Sequence, residues 1–365
     1  MESMVNKLMM AVNRDFWKGK RVFLTGHTGF KGGWLSLWLA DMGAEVYGYA
    51  LNPTTEPNFF TVCNLQAHLA GSTIADIRDA ITLMQAMQIA RPDTVFHLAA
   101  QPLVRYSYTA PVETYSVNVM GTVNLLEAVR QTPSVKAVVN VTTDKCYENR
   151  EWVWPYRENE AMGGFDPYSS SKACSELVTA AYRRSFLEPA GIHLASARAG
   201  NVIGGGDWAA DRLIPDFLKA LDAELILTIR SPHATRPWQH VLEPLAGYLM
   251  LAQALHEEGE AFSSPWNLGP EDGDARSVQW IVEYLCNQVL GASWQCEASS
   301  PLHEANMLKL DSSKAKIKLG WQPRWNLQSA LGMTLNWHKA WRQSEDMVLV
   351  SQEQIHQYEA SQKQA

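Results

Sequence analysis

The 365-residue chain carries a formal net charge of −7 and a pI near 5.8, so no global positive field is available to hold nucleic acid. The length suffices for one large core or two coupled ones, and no apolar run approaches the ~18 residues of a membrane span. Cys63, Cys146, Cys174, Cys286 and Cys296 form no C-x-x-C pair or Cys/His cluster; no metal site is expected, and free thiols suit a reducing cytosol.

Residues 1–20 lack an apolar core followed by a small-residue cleavage site, so a cytoplasmic enzyme is the expectation. The spacing predicts a strand at Arg21–Thr25, a Trp- and Leu-rich helix at 32–42 and a second strand at Glu45–Ala50. A third apolar segment ends before Ala75. Helical patterns at 80–89 and 117–130 separate strands at 94–99 and Ala137–Val141, and His193–Ala199 reads as one more strand. Strands spaced by helices predict βαβ units, hence an α/β fold with a Rossmann-like, doubly wound parallel sheet. Near residue 200 the pattern loosens. Gly204-Gly205-Gly206, Pro215, Pro232, Pro237, Pro265 and Pro270 punctuate shorter elements. The expected division is a sheet unit, 1–199 plus about 237–262, and a smaller mixed α/β unit, 200–236 plus about 263–345. Trp266 reads as core packing and 267–269 as the turn after it. The Gln-rich segment 346–365 reads as a polar tail, a frayed helix or disorder.

Between the first strand and its helix lies Gly26-His27-Thr28-Gly29-Phe30-Lys31-Gly32, with the spacing G-x-x-G-x-x-G. A tight turn, close backbone approach and a helix N-terminus are what a dinucleotide pyrophosphate requires. Lys31 either adds charge to the phosphates or points to solvent. At the end of the second strand the customary ribose-binding carboxylate is missing, and Asn52 is the weaker substitute. No Arg stands there for a 2′-phosphate, which favours NAD over NADP. Asp76, beside Ile77, either approaches the adenine amino group or caps the following helix. His97-Leu98-Ala99-Ala100 offers small residues against which a nicotinamide ring can lie, with His97 itself read as a satisfied core histidine.

Tyr168 and Lys172 share one helix face at a spacing of four. A lysine ammonium beside the phenol, with nicotinamide charge nearby, would depress its pKa from ~10 toward neutrality. That makes a base for a sugar hydroxyl. Thr143 at a preceding strand end makes the pair specific. Asp144-Lys145 beside it is either a solvated strand end or an added acid–base pair, and removal of water from a substrate needs such a pair.

Gly26–Gly32, His97–Ala100, Asn118, Thr143 and Tyr168 with Lys172 resemble the extended short-chain dehydrogenase/reductase superfamily, from about Lys20 to about Trp337. Thr143-Asp144-Lys145 resembles its nucleotide-sugar 4,6-dehydratases, which usually carry a glutamate at the position of Lys145. Together with Gly204-Gly205-Gly206-Asp207-Trp208 and Arg236-Pro237-Trp238-Gln239-His240-Val241, the motifs look most like the CDP-glucose 4,6-dehydratase family. The resemblance implies NAD bound by Gly26 to Gly32, Asn52, Asp76, Ile77, Leu98, Ala99, Ala100, Asn118, Tyr168 and Lys172. It implies catalysis by Thr143, Asp144, Lys145, Tyr168 and Lys172. It implies CDP-glucose held by Gln101, Asn201, Arg212, Leu213, Ile214, Arg236 and Arg276, the last of these, like Arg198, being equally an ordinary surface ion pair. Trp208 stacks on the base or fills the core, core being preferred. A homodimer through helices 117–130 and 168–184 is implied as well. A C4 epimerase would need Thr143, Tyr168 and Lys172 but not Asp144-Lys145. A cofactor-sensing binding protein would need neither Tyr168 nor Lys172.

Overall fold

Runs such as Val22-Phe23-Leu24 and Val138-Val139 lack polar alternation, so their strands must be covered on both faces. The computed structural model describes residues 11–297 and 307–361 and shows that arrangement; residues 1–10 of the N-terminal stretch read above lie outside them. The strands in chain order are β1 (Arg21–Thr25), β2 (Glu45–Ala50), β3 (Gly71–Ile74), β4 (Thr94–His97), β5 (Ala137–Val141) and β6 (His193–Ala199), then β7 (Asn201–Ile203), β8 (Leu227–Ile229), β9 (Thr235–His240), β10 (Pro265–Leu268), β11 (Ala275–Ser277) and β12 (Trp294–Cys296). The main sheet is parallel, in the order β10-β6-β5-β4-β1-β2-β3.

One face of this sheet is covered by Trp34, Leu35 and Trp38 of the helix Phe30–Asp41 and by the helix Leu242–Glu258. The latter is apolar on nearly every side because the sheet, the helix Phe30–Asp41 and the segments Gly259–Phe262 and Ala315–Leu319 pack around it. The other face is covered by Leu83 and Met87 of the helix Ala80–Ala90 and by Leu125, Leu126 and Val129 of Gly121–Arg130. The chain runs outward from β1 to β3, then returns to β4 on the other flank of β1. This reversal opens a crevice at the carboxyl ends of β1 and β4, where doubly wound sheets hold ligands. The small sheet β11-β9-β7 and the pair β12-β8 surround a second core of Ile214, Phe217, Trp238, Ile281, Leu285 and Leu331.

Two expectations are corrected. Residues 267–268 are not a turn: Pro265–Leu268 is the edge strand of the main sheet, paired with β6. Pro265 is tolerated at its start because an edge strand need not donate there. The segment 347–360 is neither frayed nor disordered but a helix, Met347–Ala360. Met347, Ser351, Ile355 and Tyr358 recur at helical spacing and are buried, a stripe concealed by the glutamines around it. Tyr358 donates to Glu243 at 2.7 Å, and Arg324 donates to the carbonyls of Tyr358, Glu359 and Ser361. Residues 362–365 of the expected tail lie outside the described residues. Among the described residues, no helix is long and apolar enough to cross a membrane.

Candidate active site

A cavity of about 1480 Å³ lies over the carboxyl ends of the main strands, between the sheet and the small β-unit. Its floor begins at the glycine loop. Gly26 has φ +82°, and a Cβ there would meet the Ala99 nitrogen at 2.8 Å. A Cβ on Gly32 would fall 2.0 Å from the Gly26 carbonyl oxygen. Gly29 is the N-cap of the helix Phe30–Asp41, and a Cβ there would meet only the Gly26 oxygen, at 3.4 Å. The first and third glycines therefore close the turn, and the middle one leaves the helix end open to the cavity. Thr25 Oγ1 accepts from the Leu98 and Ala99 amides at 3.2 Å and pairs with His97 Nδ1 at 2.8 Å. His97 also reaches Thr122 and is buried, with its pKa lowered to about 3, a satisfied core histidine as read.

Thr28, Phe30, Lys31, Asn52, Asp76, Ile77, Leu98, Ala99 and Ala100 all line this part of the cavity. Asp76 accepts from the Arg78 amide and side chain, but the N-cap of the helix Ala80–Ala90 is Asp79, so the capping alternative does not hold for Asp76. His27 does not line it. Its ring lies behind the loop against Gly48, bonded to Ser72 Oγ at 2.8 Å, and burial lowers its pKa to about 4.

Strand β5 ends in Thr142-Thr143, and the Thr143 hydroxyl caps the short turn Asp144–Cys146 while donating to Asp144 Oδ1 at 3.0 Å. Asp144 is 2 % exposed. Among the described residues its Oδ2 has no hydrogen-bond partner. Burial raises the Asp144 pKa, against the pull of Lys145, Thr143, Arg236 and Lys31. The helix Pro167–Tyr182 starts at the Asp166 cap, which accepts from the Ser169 amide, and sends Tyr168 and Lys172 toward the same wall. The Lys172 ammonium donates to the Val141 carbonyl at 3.2 Å, and burial lowers its pKa to about 8.

The expected fall of the Tyr168 pKa is absent in the protein itself. Burial pushes it up to about 12, Thr143 and Arg212 pull down, and Asp144 and Asp166 push up. The lysine is occupied with a strand carbonyl, so the largest local influence on the phenol is desolvation.

The far wall carries Asn201, Arg212, Leu213, Ile214 and Arg236. Arg212 is held by Asp207 at 2.8 Å, and Arg236 donates to its neighbour's carbonyl, Thr235, at 3.0 Å. Trp208 also borders the cavity but packs on Trp337 and Trp341, the core role preferred above. Besides His27, three more of the expected residues do not reach the cavity. Gln101 is buried, with its amide on Thr114 Oγ1 and its oxygen on the Leu103 amide. Asn118 spends its side chain on the Gln101 backbone and on Ser171 Oγ. Arg276 stands exposed on β11 with its guanidinium over Trp280. Arg198, the other arginine weighed for phosphate, is 2 % exposed and pairs with buried Glu176. Glu176 and Asp207 drew no role from the sequence. The signal for Glu176 was present: it follows Lys172 by four, extending the Tyr168–Lys172 face.

Comparison with known proteins bears on this geometry. The family model described as GDP-mannose 4,6 dehydratase matches residues 23–334. A relative described as CDP-glucose 4,6-dehydratase, from Salmonella typhimurium, is 56 % identical over 354 residues, covering 95 % of this chain and 98 % of its own. A UDP-glucose 4-epimerase from Halalkalibacterium halodurans is 27 % identical over 87 % of this chain and 95 % of its own. Among solved structures, a dTDP-glucose 4,6-dehydratase from Bacillus anthracis in complex with NAD has the same fold (TM-score 0.72, 19 % identity, 90 % of this chain and 99 % of that one). So does a UDP-glucose-4-epimerase from Stenotrophomonas maltophila (TM-score 0.76, 21 % identity, 89 % and 99 %). With Thr143, Tyr168 and Lys172 gathered at the crevice of a Rossmann-like sheet, and with the family model spanning most of its length, the chain belongs to the GDP-mannose 4,6 dehydratase family.

Proposed function

We propose that the chain is an NAD-dependent CDP-glucose 4,6-dehydratase, a hydro-lyase that yields CDP-4-keto-6-deoxyglucose and water. The observation that carries this reading is the unpartnered Oδ2 of Asp144, a buried carboxyl of raised pKa at the cavity wall. An epimerase has no use for such an acid, whereas an elimination needs one to protonate a leaving hydroxyl.

The residues present fit a dinucleotide. The turn at Gly26 and Gly32 admits no side chain, and the open helix end suits a pyrophosphate. In this reading Gly26, Thr28, Gly29, Gly32, Asn52, Asp76, Ile77, Leu98, Ala99, Ala100 and Lys172 hold the cofactor. When bound, its nicotinamide supplies a hydride acceptor at sugar C4 and a donor at C6. Tyr168 takes the C4 hydroxyl proton. The oxygen accepts from Thr143, and Arg212 lowers the cost of the phenolate. The C4 ketone acidifies C5, and Lys145 removes that proton or stabilises the enolate. Asp144 delivers its proton to the C6 hydroxyl, the C6–O bond breaks and water leaves. Lys145 or a group it supports then reprotonates C5, and the cycle ends with no net redox change.

The same reading assigns 1–199 with about 237–262 to dinucleotide binding and 200–236 with about 263–345 to the nucleotide sugar, β10 excepted. Asn201 and Arg236 take the diphosphate, and Arg212, Leu213 and Ile214 lie along the nucleotide base. A homodimer through helices 117–130 and 168–184 is supported by exposed Met120 and Leu177 on them and by Val112, Tyr115 and Phe186 alongside. Sedimentation at micromolar concentration tests it, a monomer being the contrary result. For the reaction, the protein is mixed with NAD and CDP-, UDP-, GDP- or dTDP-glucose and the sugars are weighed by mass spectrometry. Loss of one water from CDP-glucose is expected. A sugar of unchanged mass but new C4 configuration would show an epimerase.

A further inference from the structure

Lys31 belongs by sequence to the glycine loop, yet it is surrounded by charges of both the catalytic wall and the far wall. Phe30 and Trp34, one turn apart, dock the start of their helix onto the 204–206 segment. A Cβ on Gly204 would meet the Phe30 ring at 3.2 Å, and Trp34 Nε1 donates to the Gly205 carbonyl at 2.9 Å. Lys31 lies beside Phe30 and lines the cavity. Burial lowers the Lys31 pKa to about 8, Arg212 and Lys172 add to the fall, and Asp144 and Asp207 oppose it. Of these, Arg212 and Asp207 belong to the segment that follows β7, and Asp144 carries the unpartnered oxygen. Lys31 Nζ itself makes no hydrogen bond among the described residues.

We infer that Lys31 is a ligand for the diphosphate of the nucleotide sugar, not for the pyrophosphate of the dinucleotide. This rests on the function proposed above. The loop already offers a dinucleotide its backbone N–H groups and helix end, which need no side chain. On the substrate side, Lys31, Arg212 and Arg236 line the cavity, and the acidic groups that act on Lys31 are Asp144 and Asp207. Asp207 is engaged by Arg212, and Asp144 is biased toward its neutral form. Among the described residues the Lys31 ammonium is therefore left without an anionic partner in a partly desolvated site, and a diphosphate entering between Lys31 and Arg212 would supply one. Lys31 would thereby bring the substrate's anionic group against the helix that also carries the cofactor loop.

The test is isothermal titration of CDP, UDP, GDP and NAD, each alone, into the wild-type protein and Lys31→Met. The expected result is a loss of about 10- to 100-fold in affinity for CDP, the range of one charge-assisted hydrogen bond, with NAD affinity within about 3-fold. Retained NAD binding also shows that the variant is folded. Loss of NAD affinity with CDP unchanged, equal loss of both, or no change in either would overturn the assignment. Wild-type protein that preferred UDP or GDP would refute the CDP reading alone, and Lys31 would stand if that ligand weakened in the variant. Wild-type protein that bound no nucleoside diphosphate would refute both.

Discussion

Glu176→Gln tests how the two halves of the catalytic wall are held together. Helix Pro167–Tyr182 presents Tyr168, Lys172 and Glu176 at intervals of four. Glu176 Oε1 accepts from Thr142 Oγ1 at 2.5 Å and Arg198 Nε at 2.9 Å, and Oε2 accepts from Ser196 Oγ at 2.6 Å and Arg198 Nη2 at 2.9 Å. Thr142 precedes Thr143, so this carboxylate ties the strand end carrying Thr143 and Asp144 to the helix carrying Tyr168 and Lys172. Arg198 extends the network to Tyr147, whose hydroxyl donates to Asn267 at 2.7 Å. An amide would leave one end facing two of these donors with a donor of its own. It would also leave Arg198, 2 % exposed, as a buried cation without a counter-charge. Breaking one partner of such a pair costs ~3–5 kcal/mol, a factor of roughly 10²–10⁴ in the folding equilibrium. The Glu176 carboxylate also raises the Lys172 pKa against burial, which has brought it to about 8. Without it, Lys172 loses its proton at lower pH, and the alkaline limb of kcat shifts downward. Guanidinium denaturation and a kcat–pH profile measure the two effects. A variant with an unchanged denaturation midpoint and an unmoved alkaline limb would refute this account. Glu176→Leu combined with Arg198→Met, which removes both charges, is expected to recover part of the stability.

Tyr168→Phe removes the first base, and turnover is expected to fall ~10²–10⁴-fold in an assay of 4-keto sugar formation; near-normal turnover would place the first proton transfer elsewhere. Lys145→Met leaves Thr143, Tyr168 and Lys172 intact, so C4 oxidation is expected to survive while elimination stalls. The signature is reduced-nicotinamide absorbance without loss of water. Normal product formation would return Lys145 to a solvated strand end, and absence of any reduction would place it at the first step. Glu243 is buried with its pKa raised to about 7, burial outweighing the donors Trp325 N, Tyr358 Oη and Arg324 N. A raised carboxyl pKa means the native state binds the proton more tightly, so stability is greatest below the unfolded value and declines as pH rises to about 7. The decline is on the order of 3 kcal/mol. Denaturation curves from about pH 5 to 8 are expected to flatten in Glu243→Gln, and an equally steep decline in that variant would acquit Glu243.

The glycine loop and the Tyr168–Lys172 face were legible because each is local: a fixed spacing within one turn or helix determines the geometry. The parallel sheet was legible for the same reason, through short apolar runs without alternation. Strand β10 was not, since Pro265 and the Asn267-Leu268-Gly269 sequence carry turn signals and only pairing with β6 overrides them. The C-terminal helix was hidden by composition, because its buried stripe includes Ser351 and Gln354 as well as Met347 and Ile355. For Gln101 and Asn118 the sequence could not show that the Asn118 side chain holds the Gln101 backbone or that the Gln101 amide is bonded to Thr114. For Arg276 a local sequence does not report that its guanidinium lies over the partly buried Trp280 ring. The pairing of Glu176 with Arg198 crosses from a helix to a strand, 22 residues apart, and no local pattern reports such a contact.

The central claim is that the wall of Thr143, Asp144, Lys145, Tyr168 and Lys172 eliminates water rather than only oxidising and rereducing C4. Incubating the protein with NAD and CDP-glucose in deuterium oxide, then analysing the sugar by mass spectrometry and NMR, tests it most directly. The account predicts a product that has lost one water, is ketonic at C4 and carries solvent deuterium at C5. A sugar that retained all its oxygens and differed only in C4 configuration, or CDP-glucose returned unaltered, would contradict it.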